Sequence, residues 1–184
     1  MKQYGFFFYP ALCTGCQSCQ FACREANHLS PGIYLRRVLT LESSDNVGYT
    51  GFFSAGCNHC QEPACVAACQ NGAMYRDPDR GVVLHDDQRC IGCSACLWAC
   101  PYGAVTINPM NGKAVKCDSC LSRREQGQPP ACTAACPTKA LRFGSLDDLE
   151  AQGGCIPDSR YLPDGGATHP SIRVFPLVRK EEQP

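Results

Sequence analysis

Cysteine is the residue type most able to do chemistry in this chain of 184 residues, which contains 17 of them. That is several times ordinary usage. Sixteen fall into four groups, each beginning with two cysteines two residues apart (C-x2-C) and ending with two cysteines three residues apart (C-x3-C). Cysteines at such density either bind metal or form disulfides, and their spacing helps to decide which.

The four groups follow one another along the chain. They are Cys13, Cys16, Cys19 and Cys23; Cys57, Cys60, Cys65 and Cys69; Cys90, Cys93, Cys96 and Cys100; and Cys117, Cys120, Cys132 and Cys136. The first and third have the C-x2-C-x2-C-x3-C spacing of bacterial ferredoxins. The second and fourth have longer insertions before their third cysteine. Cys155 is left over, and we interpret it as a free thiol.

This spacing predicts four 4Fe-4S clusters. Three closely spaced cysteines wrap one cluster, and the fourth, three residues on, ligates the neighbouring cluster, so that motifs work in pairs. Loop closure by disulfides does not require the repeated spacing. Zinc is a rival for the fourth group alone, whose long insertion resembles a zinc ribbon.

The pairing of the motifs is the next question. The second and third groups are joined by NGAMYRDPDRGVVLHDDQR, which contains a complete hairpin and favours one contiguous ferredoxin module. The first and fourth groups would then pair around it. Sequential pairing stays open, because a similar hairpin, AVTINPMNGKAVK, joins the third and fourth groups.

Nested pairing predicts four ligand sets. They are Cys13, Cys16, Cys19 with Cys136; Cys117, Cys120, Cys132 with Cys23; Cys57, Cys60, Cys65 with Cys100; and Cys90, Cys93, Cys96 with Cys69.

Substrate chemistry has no candidate in the sequence. We find no phosphate-binding glycine loop, nucleophile elbow, zinc-protease helix or dinucleotide fingerprint. Lys plus Arg equals Asp plus Glu at 17 each, which provides no basic face for nucleic acid. Four clusters with their thiolates would add a net charge of about −8, which part of the basic complement would offset.

The elements that must position these cysteines are short. Strands are predicted at 4–9, 49–53, 73–76, 82–85 and 114–116, and short helices are predicted to follow several fourth cysteines, including Cys23. The fold class is α+β, with two ferredoxin-like dicluster modules and extensive loops. The modules are 57–100, and 1–56 together with 101–150, followed by an extended C-terminal arm at 151–184.

Several other residues carry weaker expectations. His59, within CNHC, is expected to be a packing residue. Trp98 is expected to shield a cluster from water. The basic pairs Arg36 with Arg37 and Arg123 with Arg124 are expected on the surface, where most charged side chains are solvated.

The chain also resembles a known family, the four-cluster iron-sulfur subunits of molybdopterin oxidoreductases of the dimethyl sulfoxide reductase type. The resemblance rests on YGFFFYPALCTGCQSCQFAC, PGIYLRRV, GCNHCQEPACVAAC, CIGCSACLWACPYGA, KCDSC, ACTAACPTKALRFG and THPSIRVFP, in that order. It covers nearly the whole chain. Cys96 stands where some relatives have tryptophan and a 3Fe-4S cluster, so a 4Fe-4S cluster is expected there.

The resemblance implies a non-catalytic subunit that relays electrons between two partners. These are a membrane anchor subunit that oxidises quinol and a molybdopterin catalytic subunit. The first group would lie nearest the catalytic subunit, and the second and third groups toward the anchor. The family is exported by a signal on the catalytic partner, which implies a peripheral location on the outer face of the cytoplasmic membrane. Nested pairing is also the family's arrangement.

A soluble polyferredoxin-like carrier for hydrogenase or formate dehydrogenase is the alternative function. We find no apolar run long enough to cross a membrane and no secretory signal peptide, because the longest apolar run, 6–9, ends at Pro10.

Overall fold

A computed structural model describes residues 2–42, 50–157, 161–164 and 166–175. Its strands are short and spread along the chain: β1 (Tyr4–Phe8), β2 (Arg36–Glu42), β3 (Thr50–Gly56), β4 (Met74–Asp77), β5 (Val82–His85), β6 (Val105–Ile107), β7 (Ala114–Lys116), β8 (Leu141–Ser145) and β9 (Arg173–Val174).

The helices are shorter still, apart from the first. They are α1 (Ser18–Ala26), α2 (Ala64–Ala67), α3 (Ala95–Ala99), α4 (Leu121–Glu125), α5 (Ala131–Ala134) and α6 (Leu146–Ala151), with a 3₁₀ turn at Pro10–Leu12. Mixed helix and strand content confirms the α+β class.

The largest sheet has the strand order β8-β1-β9. β8 runs antiparallel to β1, and β9 runs parallel to it. The centre of β1 is the aromatic run Phe6–Phe8, whose side chains are at most 2% exposed because strands and loops cover both faces. Gly5 is required beside this run, since a Cβ there would lie 1.6 Å from the carbonyl oxygen of Ser171.

The other strands form three antiparallel hairpins, β2–β3, β4–β5 and β6–β7. β4–β5 joins the second and third cysteine groups, and β6–β7 joins the third and fourth. The sequence prediction is confirmed at β5 and β7, residue for residue, and at β1 and β4 to within one residue. The strand predicted at 49–53 is β3 (Thr50–Gly56), and residue 49 lies outside the described residues.

Helix positions differ from the prediction. α2, α3 and α5 end before the fourth cysteine of their groups, and α1 contains Cys23 instead of following it. The physical reason is the C-x3-C spacing, which is about one helical turn, so the turn forms between the third and fourth cysteines. Pro101 and Pro137 then prevent the helix from continuing past two of the fourth cysteines.

The helices pack in two pairs, α1 with α5 and α2 with α3. These pairs bring the first group beside the fourth and the second beside the third. Two apolar cores accompany them, and buried cysteines are members of both. The thiols therefore form part of the interior.

The described part of 151–184 packs on this same chain. β9 extends the β1 sheet, and Cys155 forms an isolated antiparallel bridge with Val174. Residues 158–160, 165 and 176–184 of the predicted arm lie outside the described residues. Within the described ranges, no helix has the length and apolar character needed to cross a membrane.

Candidate iron-sulfur sites

Each C-x2-C motif closes through the same backbone conformation. The residue just before its second cysteine has a left-handed φ: Gly15 at 69°, His59 at 44°, Gly92 at 73° and Ser119 at 62°. Glycine adopts this conformation freely, whereas His59 and Ser119 adopt it at a cost in strain. Backbone strain of this kind concentrates at functional sites. The four motifs thus share a left-handed residue at this position despite different sequences.

Backbone N–H groups donate hydrogen bonds to the thiols in and around these turns. Ser119 donates to Cys117 Sγ at 3.3 Å, and Met74 donates to Cys69 Sγ at 3.3 Å. Burial raises the pKa of Cys13, and the Gly15 N–H lowers it in part. Donors aimed at sulfur favour the thiolate, which is the form that ligates metal.

Three cavities are each lined by four cysteines drawn from two groups. One is lined by Cys13, Cys16, Cys19 and Cys136. A second is lined by Cys57, Cys60, Cys65 and Cys100. A third is lined by Cys69, Cys90, Cys93 and Cys96. In every case three members are consecutive cysteines of one motif, and the other is the fourth cysteine of its helix-paired motif.

The remaining four patterned cysteines, Cys23, Cys117, Cys120 and Cys132, are all buried. Burial raises the pKa of Cys23 to about 12, Arg36 lowers it, and Cys132 and Cys120 raise it. Burial also raises the pKa of Cys117, as do Cys57 and Cys23. Cys23, Cys117 and Cys132 belong to one buried cluster, and α1, which carries Cys23, packs against α5, which carries Cys132, so we group these four thiols as a fourth set.

We name the four thiol sets by the motif that supplies three of their members. The first, second, third and fourth sets contain Cys13, Cys57, Cys90 and Cys117, respectively. No disulfide joins any of the 17 cysteines, and Cys155 belongs to no set. Within the described ranges, no three His, Cys, Asp or Glu side chains converge as a single metal ion would require. Thiols around a cavity suit a larger inorganic group better than a single zinc ion.

Buried donors without partners also line two of these cavities. Asn58 lines the second-set cavity and His85 the third-set cavity. Neither Asn58 Nδ2 nor His85 Nε2 has a hydrogen-bond partner among the described residues. Buried polar atoms normally have partners. Sulfur atoms of a group filling each cavity would accept these hydrogen bonds, so the residues fit an iron-sulfur cluster.

Hydroxyl groups approach several of the thiols. Cys16 Sγ lies 3.4 Å from Ser18 Oγ, and Cys19 Sγ lies 3.4 Å from Ser54 Oγ. Burial raises the pKa of Cys60 to about 12, Cys57 raises it too, and a hydrogen bond with Thr168 lowers it. Hydrogen bonds to cluster sulfurs are among the features that set reduction potentials.

Two buried cations lie among the sets. Arg36 is 3% exposed, and Lys116 is 6% exposed and lines the second-set cavity. The surface position predicted for Arg36 is therefore wrong. The interior is favourable for it because burial, which lowers its pKa, is outweighed by nearby Cys132, Cys117, Cys19 and Cys23, which raise it. Thiolates supply the negative charge that a buried guanidinium needs.

The sets form a linear series. One apolar core contains cysteines of the first, fourth and second sets, and the other contains cysteines of the second and third. The fourth set is buried, whereas the first reaches the surface at Cys16. The packed pair α2 and α3 joins the second to the third. The order is first, fourth, second, third.

The two ends of this series reach the surface. Cys16 of the first set and Cys93 of the third are exposed, whereas the fourth set is buried. Exposed apolar residues accompany both ends, Leu12 and Phe21 near the first set and Ile91, Trp98 and Met110 near the third. Trp98 is 83% exposed, so its predicted role as a shield from water is wrong in this chain, because α3 presents it outward.

His59 is fully buried and packs 6.3 Å from the Phe6 ring, as expected for a packing residue. Arg124 is half-buried and stacks 4.7 Å over both Tyr4 and Phe143, unlike a solvated surface residue.

Sequence reasoning missed the contributions of Asn58, Ser54, His85, Thr168 and Lys116. Only Asn58 had a signal, its position inside a C-x2-C motif. The others reach the thiols through strand pairing and loop packing.

Thiol-lined cavities at ferredoxin spacing define an iron-sulfur protein with 4Fe-4S clusters, and comparisons agree with this class. Residues 49–146 match the 4Fe-4S dicluster domain family. The chain is 39% identical over 184 residues to the B subunit of the anaerobic dimethyl sulfoxide reductase of Escherichia coli, covering 95% of this chain and 89% of the relative. Its counterpart in Haemophilus influenzae is 37% identical over 186 residues, covering 96% and 90%.

A third relative is "Protein NrfC" of Escherichia coli, which is 41% identical over 154 residues, covering 82% of this chain and 69% of the relative. The chain belongs to the family of 4Fe-4S electron-transfer subunits of anaerobic reductases of the dimethyl sulfoxide reductase type. The predicted cofactor, the 4Fe-4S cluster, and the predicted family are confirmed.

Proposed function

We propose that each of the four thiol sets holds one 4Fe-4S cluster, for a total of four. The ligands are Cys13, Cys16, Cys19 and Cys136; Cys23, Cys117, Cys120 and Cys132; Cys57, Cys60, Cys65 and Cys100; and Cys69, Cys90, Cys93 and Cys96. The observation that carries this proposal is that each cavity is lined by three cysteines of one motif and one of another.

The same ligand sets divide the chain into two ferredoxin-like modules. One module is 57–100, and the other is 1–56 together with 101–150, with 151–184 as a C-terminal segment. The packing of α1 with α5 and of α2 with α3 supports this division. The β4–β5 hairpin lies wholly inside the first of these modules.

The function is electron transfer without substrate chemistry in this chain. A bound cluster supplies reversible one-electron oxidation and reduction. The chain's own residues bury the fourth set, half-bury most of the second, and expose Cys16 and Cys93 at the ends of the series. A linear series that is exposed at both ends suits a relay between two partners.

The partners are a molybdopterin catalytic subunit and an integral membrane anchor subunit that oxidises quinol. Two relatives are each the B subunit of an anaerobic dimethyl sulfoxide reductase, which supports a multi-subunit enzyme. The first set faces the catalytic subunit, and the third faces the anchor. We define the third-set surface as Ile91, Cys93, Trp98 and Met110, and assign it to the anchor contact. The subunit is peripheral on the outer face of the cytoplasmic membrane, exported with its catalytic partner.

The ligand sets are tested by asking which substitutions alter the same cluster. Cys16→Ser and Cys136→Ser, far apart in sequence, should change one and the same EPR signal of the dithionite-reduced full chain. Cys93→Ser should change a different signal. Cys155→Ser is the matched control and should change none. If Cys136→Ser instead alters the signal changed by Cys93→Ser, the motifs pair sequentially and the proposed sets are wrong.

The partners are tested by purifying the protein from its native membranes under anaerobic conditions. A molybdenum protein and an integral membrane protein should copurify with it, and added quinol should reduce its clusters. Recovery of the chain alone, in the soluble fraction, would instead support the polyferredoxin-like carrier.

A further inference from the structure

Arg36 is a buried cation without a carboxylate partner in the described residues. It begins β2, is 3% exposed, and no ion pair joins it to an acidic side chain in the described part of the chain. Removing a guanidinium from water is costly unless an opposite charge is near. Its neighbours must therefore supply negative charge.

The surroundings hold the guanidinium in one place. Arg36 Nη1 donates to the Ser54 carbonyl oxygen at 2.9 Å and to Ser54 Oγ at 3.1 Å, and its Cζ lies 4.2 Å from the centre of the Phe6 ring. Gly56 pairs with Arg36 across the hairpin, and a Cβ at Gly56 would lie 3.2 Å from Cζ. Strand pairing, an aromatic face and a glycine thus form a site for this side chain.

The guanidinium faces two thiol sets. Toward the first set, the Ser54 hydroxyl that accepts from Nη1 lies 3.4 Å from Cys19 Sγ. Toward the fourth set, β2 packs against α1, which carries Cys23, and α1 packs against α5, which carries Cys132, a thiol within hydrogen-bonding reach of the Arg36 side chain. The second buried cation, Lys116, lines the second-set cavity instead.

We propose that Arg36 is the shared counter-ion of the clusters in the first and fourth sets, and that its charge raises the reduction potentials of both. The inference rests on the proposed ligand sets. Reduction adds one negative charge to a cluster, and a fixed cation nearby in a region shielded from water stabilises the reduced form. One residue therefore sets two neighbouring potentials together, which keeps adjacent steps of the relay matched. Arg36 acts on the clusters through its charge and does not ligate iron.

The test is a potentiometric EPR titration of the full chain with its clusters, comparing wild type with Arg36→Gln, Arg36→Lys and Arg37→Gln. Arg37 is the matched control, since it is the next residue on the strand and is exposed. Signals are assigned by their change in Cys16→Ser for the first set and Cys120→Ser for the fourth.

We expect Arg36→Gln to reduce the ratio of reduced to oxidised cluster at a fixed potential at least tenfold for both signals, which is about 59 mV for one electron. Arg36→Lys, which keeps the charge, should change each ratio less than threefold, and Arg37→Gln should change none. The second-set and third-set signals should also stay unchanged in every variant. Unshifted first-set and fourth-set signals in Arg36→Gln, or an equal shift of all four, would overturn the proposal.

If Arg36→Gln does not retain its iron, a second variant tests whether Arg36 affects the two reduction potentials. Ser54→Asp leaves the arginine in place and pairs it with a carboxylate, so the first-set and fourth-set potentials should fall, and unchanged potentials would overturn the role of Arg36. Iron analysis separates the two proposals. A wild-type chain with about sixteen iron atoms and no shift in any variant contradicts the role of Arg36 alone, whereas a wild type lacking clusters contradicts the proposed function.

Discussion

At the scale of single residues, the left-handed turn before the second cysteine of each motif is the feature that most closely defines the sites. Gly92 shows why a side chain is excluded from this position in the third motif. Its φ is 73°, and a Cβ would lie 2.5 Å from the carbonyl oxygen of Gly112. Gly103 also has a left-handed φ, of 58°, but has open space around it. Alanine variants at these two positions therefore distinguish the cost of backbone strain alone from the cost of strain combined with a steric clash.

Gly92→Ala is expected to lower the thermal stability of the cluster-bound chain more than Gly103→Ala does. Both variants incur the left-handed penalty of about 1–2 kcal/mol. Gly92→Ala adds a clash with rigid backbone, worth about 1–3 kcal/mol more. The measurement is the midpoint temperature at which the visible iron-sulfur absorbance is lost on heating. Equal midpoints for the two variants would contradict the close approach of the Gly112 carbonyl.

The sequence predicted the sixteen patterned cysteines because ligand spacing is local information. It did not predict that His59 and Ser119 have a positive φ, as the glycines at the equivalent positions do. Neither histidine nor serine requires a positive φ, so their residue types do not indicate it. Nor did it predict the burial of Arg36. That burial depends on Ser54, Phe6 and Gly56, which only the folded hairpin and sheet bring to its side.

At the scale of elements, the β4–β5 hairpin connects the second and third groups, and Asp77 closes its turn. Asp77 Oδ1 accepts hydrogen bonds from the N–H groups of Asp79 at 3.0 Å and Arg80 at 2.9 Å. The Arg80 N–H is the main cause that lowers the pKa of Asp77, followed by the Arg80 side chain. Asp79 lies in the same turn and is exposed.

Asp77→Ala is expected to lower the stability of the hairpin by about 1 kcal/mol, because two N–H groups lose a charged acceptor. Asp79→Ala is the control and should have little effect on stability. The pKa of Asp77 is lowered in the folded chain, so its stabilisation is complete above the unfolded value near 3.8 and is lost as pH falls through the folded value. The difference in melting midpoint between wild type and Asp77→Ala should shrink below pH 4. A difference that is constant with pH would contradict the role of the carboxylate.

Strands were predicted better than helices, for a physical reason visible at α2, α3 and α5. The strands β5 and β7 alternate or cluster apolar residues between clear turn signals. The helices are single turns of four or five residues, too short for a helical period to be read. β9 has two residues and pairs with β1 from the far end of the sequence, which no local pattern indicates.

At the scale of the whole molecule, the series of sets ends in two exposed patches that carry apolar residues. Trp98→Ser should weaken association with the anchor subunit at least tenfold without changing the iron content, because exposed aromatic residues are frequent anchors of interfaces. Ile156→Ser is the control, since Ile156 is 62% exposed and outside the third-set surface. The measurement is retention of each variant on anchor-containing vesicles. Equal retention of both variants would contradict the assignment of this surface to the anchor.

Many of the buried residues are cysteines, which gives the clusters a role in folding as well as in electron transfer. Burial raises the pKa of Cys23, Cys60 and Cys65 to about 12, so without metal these thiols stay protonated at neutral pH. Cluster binding with the proposed ligand sets would then replace protons and cross-link distant parts of the chain. Removal of iron by a chelator should unfold most of the chain, because metal binding contributes folding free energy in small domains. Retention of the far-UV circular dichroism spectrum after complete iron removal would contradict this.

Whether four thiol sets hold four clusters is decided by the iron and acid-labile sulfide content of the full chain, purified anaerobically. We expect about sixteen atoms of each per chain, with interacting 4Fe-4S signals in the EPR spectrum after dithionite reduction. A colourless protein containing zinc, or iron and sulfide for two clusters alone, would contradict it.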